Sequence, residues 1–308
     1  MALIGGIDLG GTKIEARLFD TGPWTAQQTQ EIATPRGRYD ALLAALAAQV
    51  DWLATRGAAG VGVGSPGLID ASGRMLTANL PASGRTLPAD LRARAAVPVS
   101  FLNDCRAFTL SEARLGAGRG ADCVLGLILG TGVAGGVALG GAPVLGRNGA
   151  AGEFGHTPLP HGPVAAHDLP VLPCGCGLTG CYETLCSGPG LSRLARHLTG
   201  KTAAPEDLAT AGDETAERVL AVWAELLGHL LAGLVHTLDP DIVVLGGGLS
   251  KIEGLIPRLR AATAPHLLAG VALPAFALAE GGDRSGARGA ALFAHMTTAA
   301  AAARQAAQ

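Results

Sequence analysis

The sequence predicts an α/β protein built from two similar lobes facing a common cleft. Three observations point there. The chain has 308 residues, which at roughly 150 residues per domain suggests about two domains. Short apolar runs of strand character alternate with stretches of helical periodicity. One strand–glycine turn–strand unit occurs twice: Leu9-Gly10-Gly11-Thr12 is echoed by Leu129-Gly130-Thr131-Gly132 at an offset of 120 residues, as in a duplicated unit.

Each element has its own local reason. Leu3 to Leu9 and Lys13 to Phe19 are apolar strands around the first glycine turn. Arg38 to Arg56 has helical periodicity and stops at Gly57. Gly60 to Gly64 and Val97 to Leu102 read as buried strands, the second ending in Asn103-Asp104. Ala107 to Leu115 reads as a helix closed by Gly116. Val124 to Gly146 carries no charge, but its many glycines and Pro143 suit strands and tight turns, not a membrane span. Leu220 to Leu238 reads as a buried amphipathic helix interrupted by Glu225, His229 and His236. Asp241 to Leu245 is a strand running into Gly246-Gly247-Gly248, after which Leu249-Ser250 opens a helix. Ala287 to His295 is a final helix, and the Ala-rich tail from Thr297 to Gln308 is expected to fray.

Composition narrows the function. Hydrophobic residues make up 48%, which excludes wholesale disorder. Glycine is abundant, 46 residues, but without a triplet period. A net charge of −2 gives no basic field for nucleic acid or anionic lipid. The N-terminus has no basic region, and Asp8 breaks its apolar run, so it is not read as a signal peptide. A cytoplasmic location with six reduced cysteines is expected.

Glycine turns let backbone N–H groups converge on an anion. The turns at Gly10, Gly130 and Gly246 together predict a polyphosphate site between the halves. Two stretches imitate a dinucleotide fingerprint, Gly62 to Gly67 and Gly130 to Gly135, but neither is followed by a helix. Gly6 to Gly11 has P-loop spacing, yet Thr12-Lys13 follows instead of Lys-Ser/Thr. Cys174, Cys176 and Cys181 lie within eight residues, with His156 upstream. Three cysteines and one histidine are a complete tetrahedral zinc set with no position open for water, so the metal is expected to be structural. Cys105, Cys123 and Cys186 read as buried small side chains.

Several segments together resemble the ROK sugar kinases, bacterial relatives of the actin/hexokinase (ribonuclease H-like) fold. They are Gly6-Ile-Asp-Leu-Gly-Gly-Thr-Lys13, Asn103-Asp104, Leu129-Gly-Thr-Gly132, Gly152-Glu-Phe-Gly-His156, Cys174 through Glu183, and Asp239 through Gly248. The family includes repressors with an added helix-turn-helix. Here the phosphate turn begins almost at Met1, so none is expected. The resemblance implies a small lobe of residues 1–105 plus 286–308 and a large lobe of residues 106–285. It also implies a homodimer or homotetramer.

The resemblance further implies transfer of the γ-phosphoryl of ATP to a hexose hydroxyl, usually the 6-OH. Asp104 would be the general base, although spacing alone fits a helix N-cap at Asn103-Asp104 equally well. Asn79, Asn103, Asp104, Glu153, His156 and Glu183 would bind sugar. Gly10, Gly11, Thr12 and Lys13 would cradle phosphates from one lobe, and Gly130, Thr131 and Gly132 from the other. Asp8 would hold Mg²⁺ through water, and Gly246, Gly247 and Gly248 would lie near the adenosine. Ala134 departs from many relatives, which keep a glycine there. Leu76 through Gly84 looks most like N-acetylglucosamine kinases. Asn148 through Pro160 and Glu183 through Gly188 look closer to fructokinases. The expectation favours fructose or a related free hexose, with N-acetylglucosamine kinase or glucokinase as alternatives. A non-catalytic sugar sensor is the alternative of another class.

Overall fold

The computed structural model describes residues 2–306; residue 1 and the end of the predicted tail, 307 and 308, lie outside the described residues. Strands β1 (Leu3–Leu9), β2 (Lys13–Asp20) and β3 (Ala26–Ala33) form an antiparallel meander. Helix α1 (Tyr39–Ala54) returns the chain to β4 (Ala58–Ser65), parallel to β1. A small hairpin, β5 (Leu68–Ile69) and β6 (Met75–Leu76), and the short α2 (Leu87–Arg92) lead to β7 (Val99–Asn103), parallel to β4. The sheet order is β3-β2-β1-β4-β7.

Helix α3 (Asp104–Leu115) carries the chain to a second sheet, where β8 (Cys123–Leu129), β9 (Val133–Leu139) and β10 (Ala142–Pro143) repeat the meander. Helices α4 (His161–Ala166), α5 (Glu183–Cys186), α6 (Gly188–Thr199), α7 (Pro205–Ala211) and α8 (Glu214–Leu238) follow. Strand β11 (Ile242–Gly246), helix α9 (Leu255–Thr263) and strand β12 (Ala275–Leu278) complete the order β10-β9-β8-β11-β12, with β11 parallel to both neighbours. The final helix is α10 (Ser285–Ala306). Each sheet is thus three antiparallel strands extended by two parallel ones, the duplication that the paired glycine turns announced.

Each sheet has its own apolar core. Leu42, Leu46 and Leu53 of α1 pack on Ile7 and Val61 in one, while Trp223 and Leu227 of α8 pack with Leu125 and Val243 in the other. Helix α8 is long and apolar enough to cross a bilayer, yet 67% of its apolar window is buried within the fold, as for a core helix. Asp213 caps its start by accepting from the N–H of Ala216 at 2.7 Å.

Helix α10 packs against β1, β4 and α3, so the C-terminus joins the first sheet to the helix that leads into the second. The close approach depends on missing side chains. A Cβ at Gly6 would collide with the carbonyl of Ala287, and one at Gly62 with that of Ala290.

Several predicted boundaries move, α8 among them, which starts at Glu214 instead of Leu220 because Asp213 caps it. The last helix runs through Ala306 instead of ending at His295, because the Ala-rich tail is a strong helix former. Helix α3 starts at Asp104, three residues before the predicted start, because Asn103 caps it. After Gly246 to Gly248 comes only a 3₁₀ turn, Gly248–Lys251, and α9 begins at Leu255. Cys105, expected to be buried, is only partly so, whereas Cys123 and Cys186 are buried.

Candidate active site

The site gathers at the carboxyl ends of β1, β7, β8 and β11, where doubly wound sheets place their ligands. Asp8 lies near the end of β1 in register with Gly64 of β4, and Ser65 of β4 pairs with Asn103 of β7. Asp8 and Asn103 therefore stand about two strand spacings apart, roughly 10 Å along the sheet. The peptide after Asn103 turns into α3 and presents Asp104. Asn103 spends its carbonyl oxygen on the N–H groups of Cys105 (3.0 Å) and Arg106 (3.2 Å), and its amide donates to the carbonyl of Gly67 at 3.2 Å. Asn103 is thus the cap of α3, and Asp104 is its first residue.

Burial pushes the Asp8 carboxyl up to about 7, with the negative charges of Asp104 and Glu15 adding to the effect. Burial also raises Asp104, against the opposing N–H of Cys105, which donates to Oδ1 at 2.8 Å. A raised carboxylate is suited to accepting a proton from a bound hydroxyl. The acids form one field. Burial raises Glu153 as well; His156 and Arg106 hold it down, while Asp104 and Glu183 add to the rise. The carboxylates are all-oxygen donors, the preference of a hard divalent cation, which would relieve their mutual repulsion.

Glu153 and His156 flank a 3₁₀ turn after β10, and His156 Nε2 stands 3.9 Å from Glu153 Oε2. The other ring nitrogen, Nδ1, lies 3.6 Å from Cys174 Sγ, while Cys176 Sγ and Cys181 Sγ are 3.7 Å apart. All four donor atoms of His156, Cys174, Cys176 and Cys181 lie within 4.8 Å of one another. A tetrahedral zinc ion with Zn–S of about 2.3 Å and Zn–N of about 2.0 Å would give edges of about 3.8 Å (S–S) and about 3.5 Å (S–N). The S–S and S–N pairs at 3.7 and 3.6 Å suit that metal, and Glu153 stands beside the other ring nitrogen of His156 at 3.9 Å, beyond hydrogen-bond distance.

Glu183 is not a solvated surface acid. Its Oε2 accepts from the N–H of Val133 at 3.1 Å, and its Oε1 lies 3.9 Å from Cys174 Sγ. It therefore joins the second glycine turn to the cysteine loop. Asn79 is exposed and lies against Gly11, with its Cβ 3.5 Å from where a Gly11 Cβ would be.

The turn at Gly10 to Thr12 is braced from outside. Thr34 donates its hydroxyl to the Gly10 carbonyl at 2.7 Å, and the Arg36 Nε donates to the Gly11 carbonyl at 2.7 Å. Lys13 is half exposed and pairs with Glu31 at 2.8 Å and Glu15 at 3.8 Å. The second turn faces Gly246 to Gly248: a Cβ at Gly130 would lie 4.0 Å from the nitrogen of Gly248. Beside them opens a pocket of about 780 Å³ lined by Gly130, Thr131, Gly188, Pro205, Gly248 and Ile252 among others. That is large enough for a nucleoside. The N-terminus of α6 abuts the same turn, with Gly188 N–H donating to the Gly130 carbonyl at 2.7 Å and Ser187 as its cap.

Sequence reasoning missed Thr34, Arg36, Arg106 and Ser187. Only Ser187 left a local signal, a cap residue followed by Gly188-Pro189 at a helix start. The others act on backbone carbonyls distant in sequence.

The ROK family profile matches residues 4–297. The chain is 44% identical over 298 residues to the N-acetylgalactosamine kinase AgaK of Shewanella sp. (strain ANA-3), covering 94% of this chain and 96% of that protein. It is 43% identical over 302 residues to the N-acetyl-D-glucosamine kinase of Erwinia tasmaniensis, covering 94% and 98%. The fold superimposes on the ROK hexokinase of Thermus thermophilus with a TM-score of 0.84 at 34% identity, covering 96% and 99%. With its two repeated sheets of the actin/hexokinase type and sites at their shared strand ends, this chain belongs to the ROK family.

Proposed function

We propose that this ATP-dependent sugar kinase phosphorylates the 6-hydroxyl of an N-acetylhexosamine. The observation that carries the chemistry is Asp104: a partly buried, raised carboxylate at the start of α3, beside the capping Asn103. The substrate reading rests on two relatives above 40% identity across 94% of the chain, both named for N-acetylhexosamines. It displaces the fructose preference. The segments behind that preference hold the scaffold: Gly152 accepts from the Gly135 N–H at 2.8 Å, His156 faces the cysteines and Glu183 holds Val133. Such residues follow loop geometry, so they say little about which substituent the sugar carries. The kinase reading also takes the place of the non-catalytic sensor.

In this reading Glu153, Glu183 and His156 line the sugar side, and Asp104 orients the attacking hydroxyl and accepts its proton. Phosphoryl transfer passes through a loose transition state, so positioning and charge neutralisation carry most of the catalysis. The turns at Gly10 and Gly130 supply N–H donors to the phosphates, and the pocket beside Gly248 takes the nucleoside. Asp8 would hold Mg²⁺, which neutralises phosphate charge when bound. His156, Cys174, Cys176 and Cys181 would hold Zn²⁺, which fixes the loop carrying Glu183. ATP supply and reduced thiols fit a cytoplasmic enzyme.

The test is ADP release with Mg-ATP across N-acetylglucosamine, N-acetylgalactosamine, N-acetylmannosamine, glucose, mannose and fructose. An N-acetylhexosamine is expected to exceed every free hexose at least tenfold in kcat/KM. Fructose or glucose leading by that margin would overturn the substrate reading.

A further inference from the structure

Arg106 sits two residues after Asp104, on the first turn of α3, and is 5% exposed. A buried arginine needs partners for its donors, and among the described residues its side-chain hydrogen bonds go to backbone carbonyls. Its Nε donates to the carbonyl of Ala151 at 2.7 Å, and its Nη2 donates to the carbonyl of Gly149. Both acceptors belong to the loop between β10 and Glu153. Two of its glycines, Gly149 and Gly152, have φ of +67° and +106°, conformations that an unrestrained chain shares with many others. The loop also reaches the first lobe, since a Cβ at Gly149 would lie 3.4 Å from the Ile69 carbonyl on β5.

We infer that Arg106 is a positioning residue for sugar binding: its planar fork clamps the carbonyls of Gly149 and Ala151 to the helix that carries Asp104, and so holds Glu153 in place before sugar arrives. This rests on the kinase reading and deepens it. One rigid side chain ties the general base and the sugar loop to a single helix end. A guanidinium can span two carbonyls two residues apart, whereas an ammonium is a point donor. Without the fork, ordering the loop becomes part of the cost of binding sugar. The nucleotide pocket, which Arg106 does not line, is unaffected.

The test compares Arg106→Gln and Arg106→Lys with the native enzyme, using the best sugar from the substrate panel. For Arg106→Gln the sugar KM is expected to rise at least tenfold, with the ATP KM and kcat within threefold. Arg106→Lys should recover part of the sugar KM. Amide hydrogen exchange supplies a second readout that needs no substrate: residues 149–153 should exchange at least tenfold faster in Arg106→Gln, with β8 and β11 unchanged. Unchanged exchange in this loop, an unchanged sugar KM, or kcat and both KM values worsening together would overturn the clamp. If no sugar in the panel is phosphorylated, the kinase reading fails on the native enzyme. The exchange experiment then still decides whether Arg106 orders the loop.

Discussion

Glu112 offers the sharpest test of how the two lobes are joined. It lies on α3 with 0% exposure, and its carboxylate collects five donors. Oε1 accepts from the Gly281 N–H (3.0 Å), the Ser285 hydroxyl (2.7 Å) and Arg288 Nη2 (3.4 Å). Oε2 accepts from the N–H groups of Ala117 (3.2 Å) and Glu280 (3.0 Å). One side chain thus fastens α3 to the segment after β12 and to the first turn of α10. Glu112→Gln keeps the shape but not the acceptors. With its carbonyl turned to the three-donor side, its amide still faces two backbone N–H groups, and the charge opposite Arg288 is gone. Two lost charge-assisted bonds at about 1.5–3 kcal/mol each set the scale, so roughly 3–5 kcal/mol is expected, as for breaking a buried ion pair. At about 2–4 °C per kcal/mol for chains of 150–250 residues, the melting temperature should fall by roughly 6–20 °C. Calorimetric scans of the ligand-free protein at one scan rate measure this. A Glu112→Gln variant melting within 2 °C of the native protein would refute the reasoning, because buried donors would then lose their acceptor at no cost.

Asp104→Asn should lower kcat by about 10²–10⁴, the range for losing a general base, while calorimetry finds sugar affinity within a few fold; near-native turnover would remove Asp104 from catalysis. Cys181→Ala should purify without stoichiometric zinc by elemental analysis and bind sugar more weakly. A variant that loses the metal but keeps its sugar affinity would uncouple the cysteine loop from Glu183. For pH, burial lowers the His229 pKa, the stacked His266 ring at 3.7 Å lowers it further, and Glu225, itself 2.8 Å from His167, works the other way. The unfolded ring near 6.5 then takes up its proton first, so this contribution to stability is complete above about pH 6.5 and is lost as pH falls. Urea midpoints at pH 7.5, 6.5 and 5.5 should fall less steeply for His229→Gln than for the native protein, and parallel slopes would contradict the shift.

Much of the site was legible because its parts are short and local. A glycine turn needs only a few residues to bare its N–H groups, and three cysteines within eight residues already suggest a closed metal site. The cap beside Asp104 was legible too, because its bonds span three residues at most; the proton-accepting role of Asp104 came only from the family resemblance. Lys13 was legible as a lysine beside a glycine turn, but its pairing with Glu31 comes from the register of β2 with β3. Glu183 was expected in the site from the family resemblance, but its bond to Val133 was not legible, since that bond joins residues 50 positions apart.

By itself, then, the sequence determined the repeated strand–turn–strand units, the apolar periods of the main helices and the close spacing of three cysteines. These follow from spacing within a few residues, where backbone geometry leaves little choice. Only the tertiary structure decided which buried polar groups meet. In sequence, Arg106 and Glu112 are ordinary charged residues on a helix. In the fold, one takes the carbonyls of Gly149 and Ala151 and the other takes the N–H groups of Glu280 and Gly281, 168 and 169 residues away. A charge can be buried only where distant chain supplies its partners, and that supply is set by packing two sheets around α3 and α10, not by any local pattern.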